Sequence, residues 1–155
     1  MTSNPVAPPP RIDIARLMRP RSIAIVGVSQ PGSPGGGVLD NLERYGYGGD
    51  IHLVSRSRRE VKGRPCVASI DDLPEGIDTA LLTIPRAAIE PAVAACARRA
   101  VGAVIIFAAG FAEAGGEWKA AQERIAAVAH DAGMAVCGLM ALVLSCRPTG
   151  LFSRV

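Results

Sequence analysis

The segment Gly27-Val28-Ser29-Gln30-Pro31-Gly32-Ser33-Pro34-Gly35-Gly36-Gly37 has the composition of a loop that can hold an anion. Gly27 lets the backbone turn sharply, and Gly32, Gly35, Gly36 and Gly37 let main-chain N–H groups approach a bulky phosphate. Ser29 and Ser33 offer hydroxyl donors, and a helix beginning near Gly36 adds its positive dipole end. The spacing is G-x-S-x-x-G, not the strict dinucleotide fingerprint, and the chain has no GK[ST] to make a Walker loop. A plain tight connection is the competing reading.

A second group of residues qualifies the first. A domain that binds NAD usually carries Asp or Glu at the end of its second strand to hold the ribose 2′-hydroxyl. Here the corresponding stretch is Ser55-Arg56-Ser57-Arg58-Arg59. Arg56 and Arg58 attract a terminal phosphate and leave a diol without its acceptor, which favours NADP or the 3′-phosphate of coenzyme A over NAD. The alternative for each arginine is a solvated basic loop. Thr83-Ile84-Pro85-Arg86 closes a later strand, with Pro85 shaping the crevice wall, and Gly110, Phe111 and Glu113 follow the strand after that. Phe111 is more often a core residue than a ligand contact, and the competing reading of Glu113 is a helix-start carboxylate and nothing more. His52 and His130 have no Ser, Cys or carboxylate in triad-like or metal-ligand spacing, so no catalytic residue and no metal site is assigned.

These loops need a scaffold that brings them to one side. Ser22 to Val28 (SIAIVGV) is a short apolar run of the kind buried on both faces of a sheet. Ile51–Val54, Ala80–Ile84 (ALLTI), Ala103–Phe107 (AVIIF) and Met134–Cys137 are further strands. Ile12–Met18, Val38–Tyr45, Ala87–Ala100 and Glu117–Ala132 read as helices, with Gly46 and Gly133 as stops. Strands alternating with helices imply βαβ crossovers, hence a single α/β domain of Rossmann-like type with a doubly wound parallel sheet. Ligands of such sheets sit beyond the C-terminal strand ends, so the loops after Val28, Val54, Ile84 and Phe107 are expected to share one crevice. Residues 1–18 read as a flexible Pro-rich leader with a short helix, 19–146 as the domain and 147–155 as a tail.

Composition agrees. Of 155 residues 49% are hydrophobic and only 4% aromatic, so the core is aliphatic. A net charge of +3, without basic runs interleaved with aromatics, argues against nucleic acid as a partner. Cys66, Cys96, Cys137 and Cys146 form no CxxC and read as buried thiols of a reducing cytoplasm. No apolar run reaches the roughly 18–20 residues of a membrane span, and the leader has no apolar signal core.

Several stretches together resemble a known family: RPRSIAIVGVSQPGSPGGGVLDNLERYGYGGDIHLVSR, V-x-G-R-P at 61–65, SIDDLPEGIDTALLTIP and IIFAAGFAEAGGE. They are similar to the N-terminal coenzyme A-binding domain of NDP-forming acyl-CoA synthetases, related to the α subunit of succinyl-CoA ligase, over about Arg19 to Gly138. The resemblance implies that coenzyme A is held by Gly27 to Gly35, the turn after the second strand, Thr83 to Pro85, and the turn around Gly110 to Glu113. It also implies that the phosphorylated histidine and the ATP-grasp portion lie outside this chain, so that catalysis comes from another chain or is absent. Two departures stand out. Ser55, Arg56 and Ser57 replace an Asn-Pro pair and a following lysine, and Gly138 is followed by Leu139 and Met140 where the family has Gly-Pro-Asn.

Two other functions remain open at this level. An NADP-binding oxidoreductase fragment fits the same glycine loop and arginines. A non-catalytic module that senses acyl-CoA, docks on a partner or self-associates fits the apolar run Leu139 to Leu144.

Overall fold

The computed structural model describes residues 10–30, 32–107 and 115–138, with the backbone alone for 115–119. Strands β1 (Ser22–Val26), β2 (Asp50–Val54), β5 (Thr79–Leu82), β6 (Ala103–Ile106) and β7 (Ala135–Gly138) fall on the five apolar runs. Helices α1 (Ile14–Met18), α2 (Pro34–Arg44), α3 (Ile89–Arg98) and α4 (Gly115–Asp131) fall on the four helical patterns. Two short strands were not expected: β3 (Glu60–Val61) and β4 (Arg64–Val67). The sheet order is β3-β4-β2-β1-β5-β6-β7, and every neighbouring pair is parallel except β3 with β4. The doubly wound α/β expectation holds.

The chain moves outward from β1 through β2 to β4, then returns to β5 on the other side of β1 and continues to β7. Strand order therefore reverses between β1 and β5, the topological switch point at which such sheets bind ligands. The two faces carry separate aliphatic cores. One packs α3 and α4 against Val26, Leu82, Val104 and Met134, and the other packs α2, through Leu39, against Ile23, Ile25 and Leu53. Cys96 is buried in the first core, and burial pushes its thiol up to about 12, so it behaves as a small apolar side chain. Cys66 and Cys137 are only partly buried, a correction to the expectation that all the cysteines are sealed. Among the described residues no helix is long and apolar enough to cross a membrane.

Local chemistry explains the boundaries. Helix α2 begins four residues before the apolar pattern because Ser33 caps it, accepting from the Gly36 N–H at 3.2 Å, and Pro34 supplies a first-turn φ. The unexpected hairpin is a two-residue turn in which Lys62 and Gly63 both have positive φ, 52° and 74°. That is the geometry that matches strand twist. Its Lys62 reaches Asp40 and Glu43 on α2, and Arg64 also reaches Glu43. Helices α2, α3 and α4 end alike: the N–H groups of Tyr47, Val101 and Met134 return to the carbonyls of Leu42, Cys96 and Ala129. Glycine takes the left-handed position after α2 and α4, whereas α3 puts Ala100 there at φ 54°.

At the N-terminal end of the sheet the buried carboxylate of Asp78, 3% exposed, organises three segments. It accepts from Arg16 Nε at 2.9 Å, from the Arg21 N–H at 2.9 Å and from Arg21 Nε at 3.2 Å. The Arg16 guanidinium also donates to the carbonyls of Gly76, Ile77 and Ala100. Burial alone would raise the Asp78 carboxyl, but the Arg21 amide and the two guanidinium groups outweigh it and hold it below the usual carboxylate value.

A folded-state carboxyl held below its unfolded value adds stability that is complete above the unfolded value, near 3.8, and is lost as pH falls through the folded one. Urea midpoints for the wild type are therefore expected to drop steeply below about pH 4. Asp78→Asn is expected to cost roughly 3 kcal/mol at pH 7 and to flatten that acid slope. Ala100→Gly relieves a left-handed alanine and is expected to stabilise the domain by about 1 kcal/mol in the same assay.

Candidate functional site

The C-terminal ends of β1, β2 and β5 open into one cavity of about 810 Å³, large enough for a nucleotide cofactor. Its position requires two residues without side chains. Gly27 leaves β1 at φ 100°, and a Cβ there would lie 2.5 Å from the Thr83 carbonyl oxygen and 2.8 Å from Ile84 Cγ2. Gly35, in the first turn of α2, lies against the same residue, since its Cβ would meet Thr83 Oγ1 at 2.8 Å and Val28 Cα at 3.1 Å. Thr83 in turn donates to the Val26 carbonyl through both its N–H, at 2.9 Å, and its hydroxyl, at 2.8 Å. The ends of β1 and β5 and the start of α2 are thus drawn into direct contact, and the positive end of α2 faces the switch point.

Of the residues expected to bind, Gly27, Ser29, Ser55, Arg56, Thr83 and Pro85 line this cavity together. Gly35 packs immediately behind Val28 and Thr83. Gly32 occupies an exposed turn at φ 84° with open space around it. Ser33 is turned inward to its own loop: its hydroxyl donates to the Gln30 carbonyl at 2.6 Å and caps α2. The N–H groups of Gly36 and Gly37 are likewise taken up in the helix start, by Ser33 Oγ and the Ser33 carbonyl. Ser55 is buried, its oxygen accepting from the Arg58 N–H at 3.2 Å, which folds the basic turn back over the end of β2. Arg56 and Ser57 are exposed and belong to the cavity lining, whereas the exposed Arg58 does not. Gly110, Phe111 and Glu113 lie outside the described residues, as do Leu139 to Leu144 and Cys146.

Sequence reasoning did not find the far wall. The cavity continues along α3 past Ala88, Ala92 and Ala95 to Arg98, and is closed opposite by Ser69, Ile70 and Asp71. Ile70–Asp72 form a short 3-10 helix capped by Ser69, with a capping box in which Ser69 and Asp72 bond each other's backbone. The Ser-x-x-Asp spacing was the available signal. His52 lies in β2 and His130 near the end of α4, neither of them in the cavity lining. Among the described residues no three His, Cys, Asp or Glu side chains are grouped to hold a metal ion.

A doubly wound sheet with a glycine turn, a helix start and a basic rim over its switch point defines a nucleotide-binding domain of Rossmann type. Residues 21–145 match the family described as CoA binding domain, and the chain belongs to that family. Among curated proteins it is 43% identical over 126 residues to a trans-feruloyl-CoA synthase from an unknown prokaryotic organism, covering 81% of this chain and 18% of that protein. It is 32% identical over 123 residues to the α subunit of an ADP-forming acetate–CoA ligase from Pyrococcus furiosus, covering 79% of this chain and 27% of that subunit. The apo dinucleotide-forming acetyl-coenzyme A synthetase of Ca. Korarchaeum cryptofilum superposes with a TM-score of 0.73 at 30% identity, over 80% of this chain and 27% of that one. The chain thus spans roughly a fifth to a quarter of the relatives it matches. It is a coenzyme A-binding domain corresponding to the N-terminal part of NDP-forming acyl-CoA synthetases, and the NADP oxidoreductase reading is not favoured.

The Gly35–Thr83 contact can be tested by a double-mutant cycle in chemical denaturation. Gly35→Ala is expected to cost about 1–3 kcal/mol by overpacking. Adding Thr83→Ala, which removes the atom met at 2.8 Å, is expected to return part of that loss. Strict additivity of the two changes would place the strain elsewhere.

Proposed function

We propose that coenzyme A lies across the switch point with its pyrophosphate at the Gly27 turn and Ser29, its 3′-phosphate at Arg56, and the rest of the molecule along Thr83 to Pro85. The observation that carries this reading is that the cavity of a CoA-binding family member brings Gly27, Ser29, Arg56 and Thr83 to one place. Gly110, Phe111 and Glu113 complete the proposed site on sequence similarity alone, and Arg58 supplies further positive charge near its rim. Arginine suits the task because its fork stays charged and pairs bidentately with phosphate oxygens.

The domain on this reading holds and presents a thiol for acid–thiol ligation of the NDP-forming type. The phosphorylated histidine and the nucleotide-binding portion lie outside this domain, in line with relatives several times longer than the matched stretch. The cytoplasm, where thiols stay reduced, is its proposed location.

Isothermal titration of the purified chain with coenzyme A, and with NADP and NAD in parallel, tests the reading. Coenzyme A is expected to bind in the micromolar range or tighter. Arg56→Glu is expected to weaken it about tenfold or more, with a much smaller effect on 3′-dephospho-coenzyme A, which lacks the group Arg56 is proposed to hold. Neither heat nor a thermal shift with coenzyme A would overturn the reading.

A further inference from the structure

The cavity has two chemically different halves. Around Gly27, Ser29 and Arg56 it is polar and open, whereas along α3 its walls are Ala88, Pro91, Ala92 and Ala95 facing Ile70. At the end of this apolar half stand two charged groups, Asp71 and Arg98. Arg98 Nη2 donates to both carboxylate oxygens of Asp71, at 2.9 and 3.0 Å, and its Nε to one of them at 3.2 Å. Both partners are about half exposed, at 53% and 59%, so the carboxylate edge stays open to a ligand. Its position is fixed from two sides. The Ser69–Asp72 capping box holds the 3-10 helix that carries Asp71, and α3 carries Arg98.

Resting on the coenzyme A reading, we propose that this ion pair selects the base of the ligand, with the Asp71 carboxylate accepting a hydrogen bond from the exocyclic amine of adenine. The thiol must be presented to a reaction centre outside this domain, so the outward end of the site belongs to it. The base takes part in no reaction and suits an apolar slot, where its faces meet aliphatic walls and only its edge needs a polar partner. A carboxylate is an acceptor only, and each of its oxygens can take a second donor beside the arginine. Adenine offers an amine donor at that edge, whereas a 6-oxo purine offers an acceptor. Two acceptors brought together cannot bond each other and cost each the water it gave up there, so the carboxylate disfavours the oxo oxygen as well as favouring the amine.

Titration of the wild type with coenzyme A and with its deaminated analogue, hypoxanthine in place of adenine, tests this directly. Coenzyme A is expected to bind about tenfold or more tightly than the analogue. In Asp71→Asn, whose amide can both donate and accept, the preference is expected to fall to within about twofold. Equal affinity of the wild type for the two ligands, or an unchanged preference in the variant, would overturn the assignment while leaving coenzyme A binding intact. Silence of the wild type with both ligands would overturn the coenzyme A reading itself and this inference with it. The comparison within the wild type needs no substituted protein, and thermal melts of Asp71→Asn show whether the half-exposed position tolerates the change.

Discussion

Everything at the ligand end of this domain depends on the approach of α2 to the edge of the sheet, and that approach is possible only because Gly27 and Gly35 have no side chain on Thr83. Thr83 bonds the end of β5 to Val26 of β1 through two hydrogen bonds, so it cannot retreat without separating the strands. A methyl group at either glycine would meet it well inside van der Waals distance. The same contact aims the start of α2 at the switch point, where its dipole faces the cavity. A packing constraint and an electrostatic one are satisfied by the same three residues.

The opposite end of the sheet is secured by charge. Asp78 gathers α1, the entry to β1 and the start of β5 through Arg16 and Arg21, while the Arg16 guanidinium also donates to the carbonyls of Gly76, Ile77 and Ala100, the second of which accepts from the Gly102 N–H as well. Pairs nearer the surface join neighbouring elements: Glu90 with Arg124 ties α3 to α4, and Lys62 and Arg64 tie the small hairpin to α2. These contribute little individually in water. The buried carboxylate is different, because removing its partners would leave an uncompensated charge inside the protein.

Membership of the CoA-binding family and the layout of the cavity describe a domain that holds a cofactor. Its cavity is lined by the polar turns after β1 and β2 and by one ion pair, and its cores are aliphatic on both faces of the sheet.

Much of the scaffold was legible in the sequence because a strand buried on both faces, such as Ser22–Val26 or Thr79–Leu82, writes itself as an unbroken apolar run, and the amphipathic helices write themselves at their own period. The glycine turn and Thr83-Ile84-Pro85 were legible too, since their residue types suit sharp turns and close approach. The β3–β4 hairpin was not, because two- and four-residue strands are too short for a period and only the Lys62-Gly63 pair marks the turn. Nor could sequence show that Ser33 is consumed as a helix cap while Ser29 is left at the cavity, for the two serines sit in the same loop with similar neighbours. The apolar half of the site illustrates the limit most clearly. Asp71 and Arg98 are 27 residues apart and lie in a short turn and a helix that reveal nothing about each other. Residue type and local spacing determined the strands, the helices and the glycine turn. Only tertiary structure, by folding α3 back over the 3-10 helix, decided that a distant carboxylate and guanidinium would meet at the end of one groove.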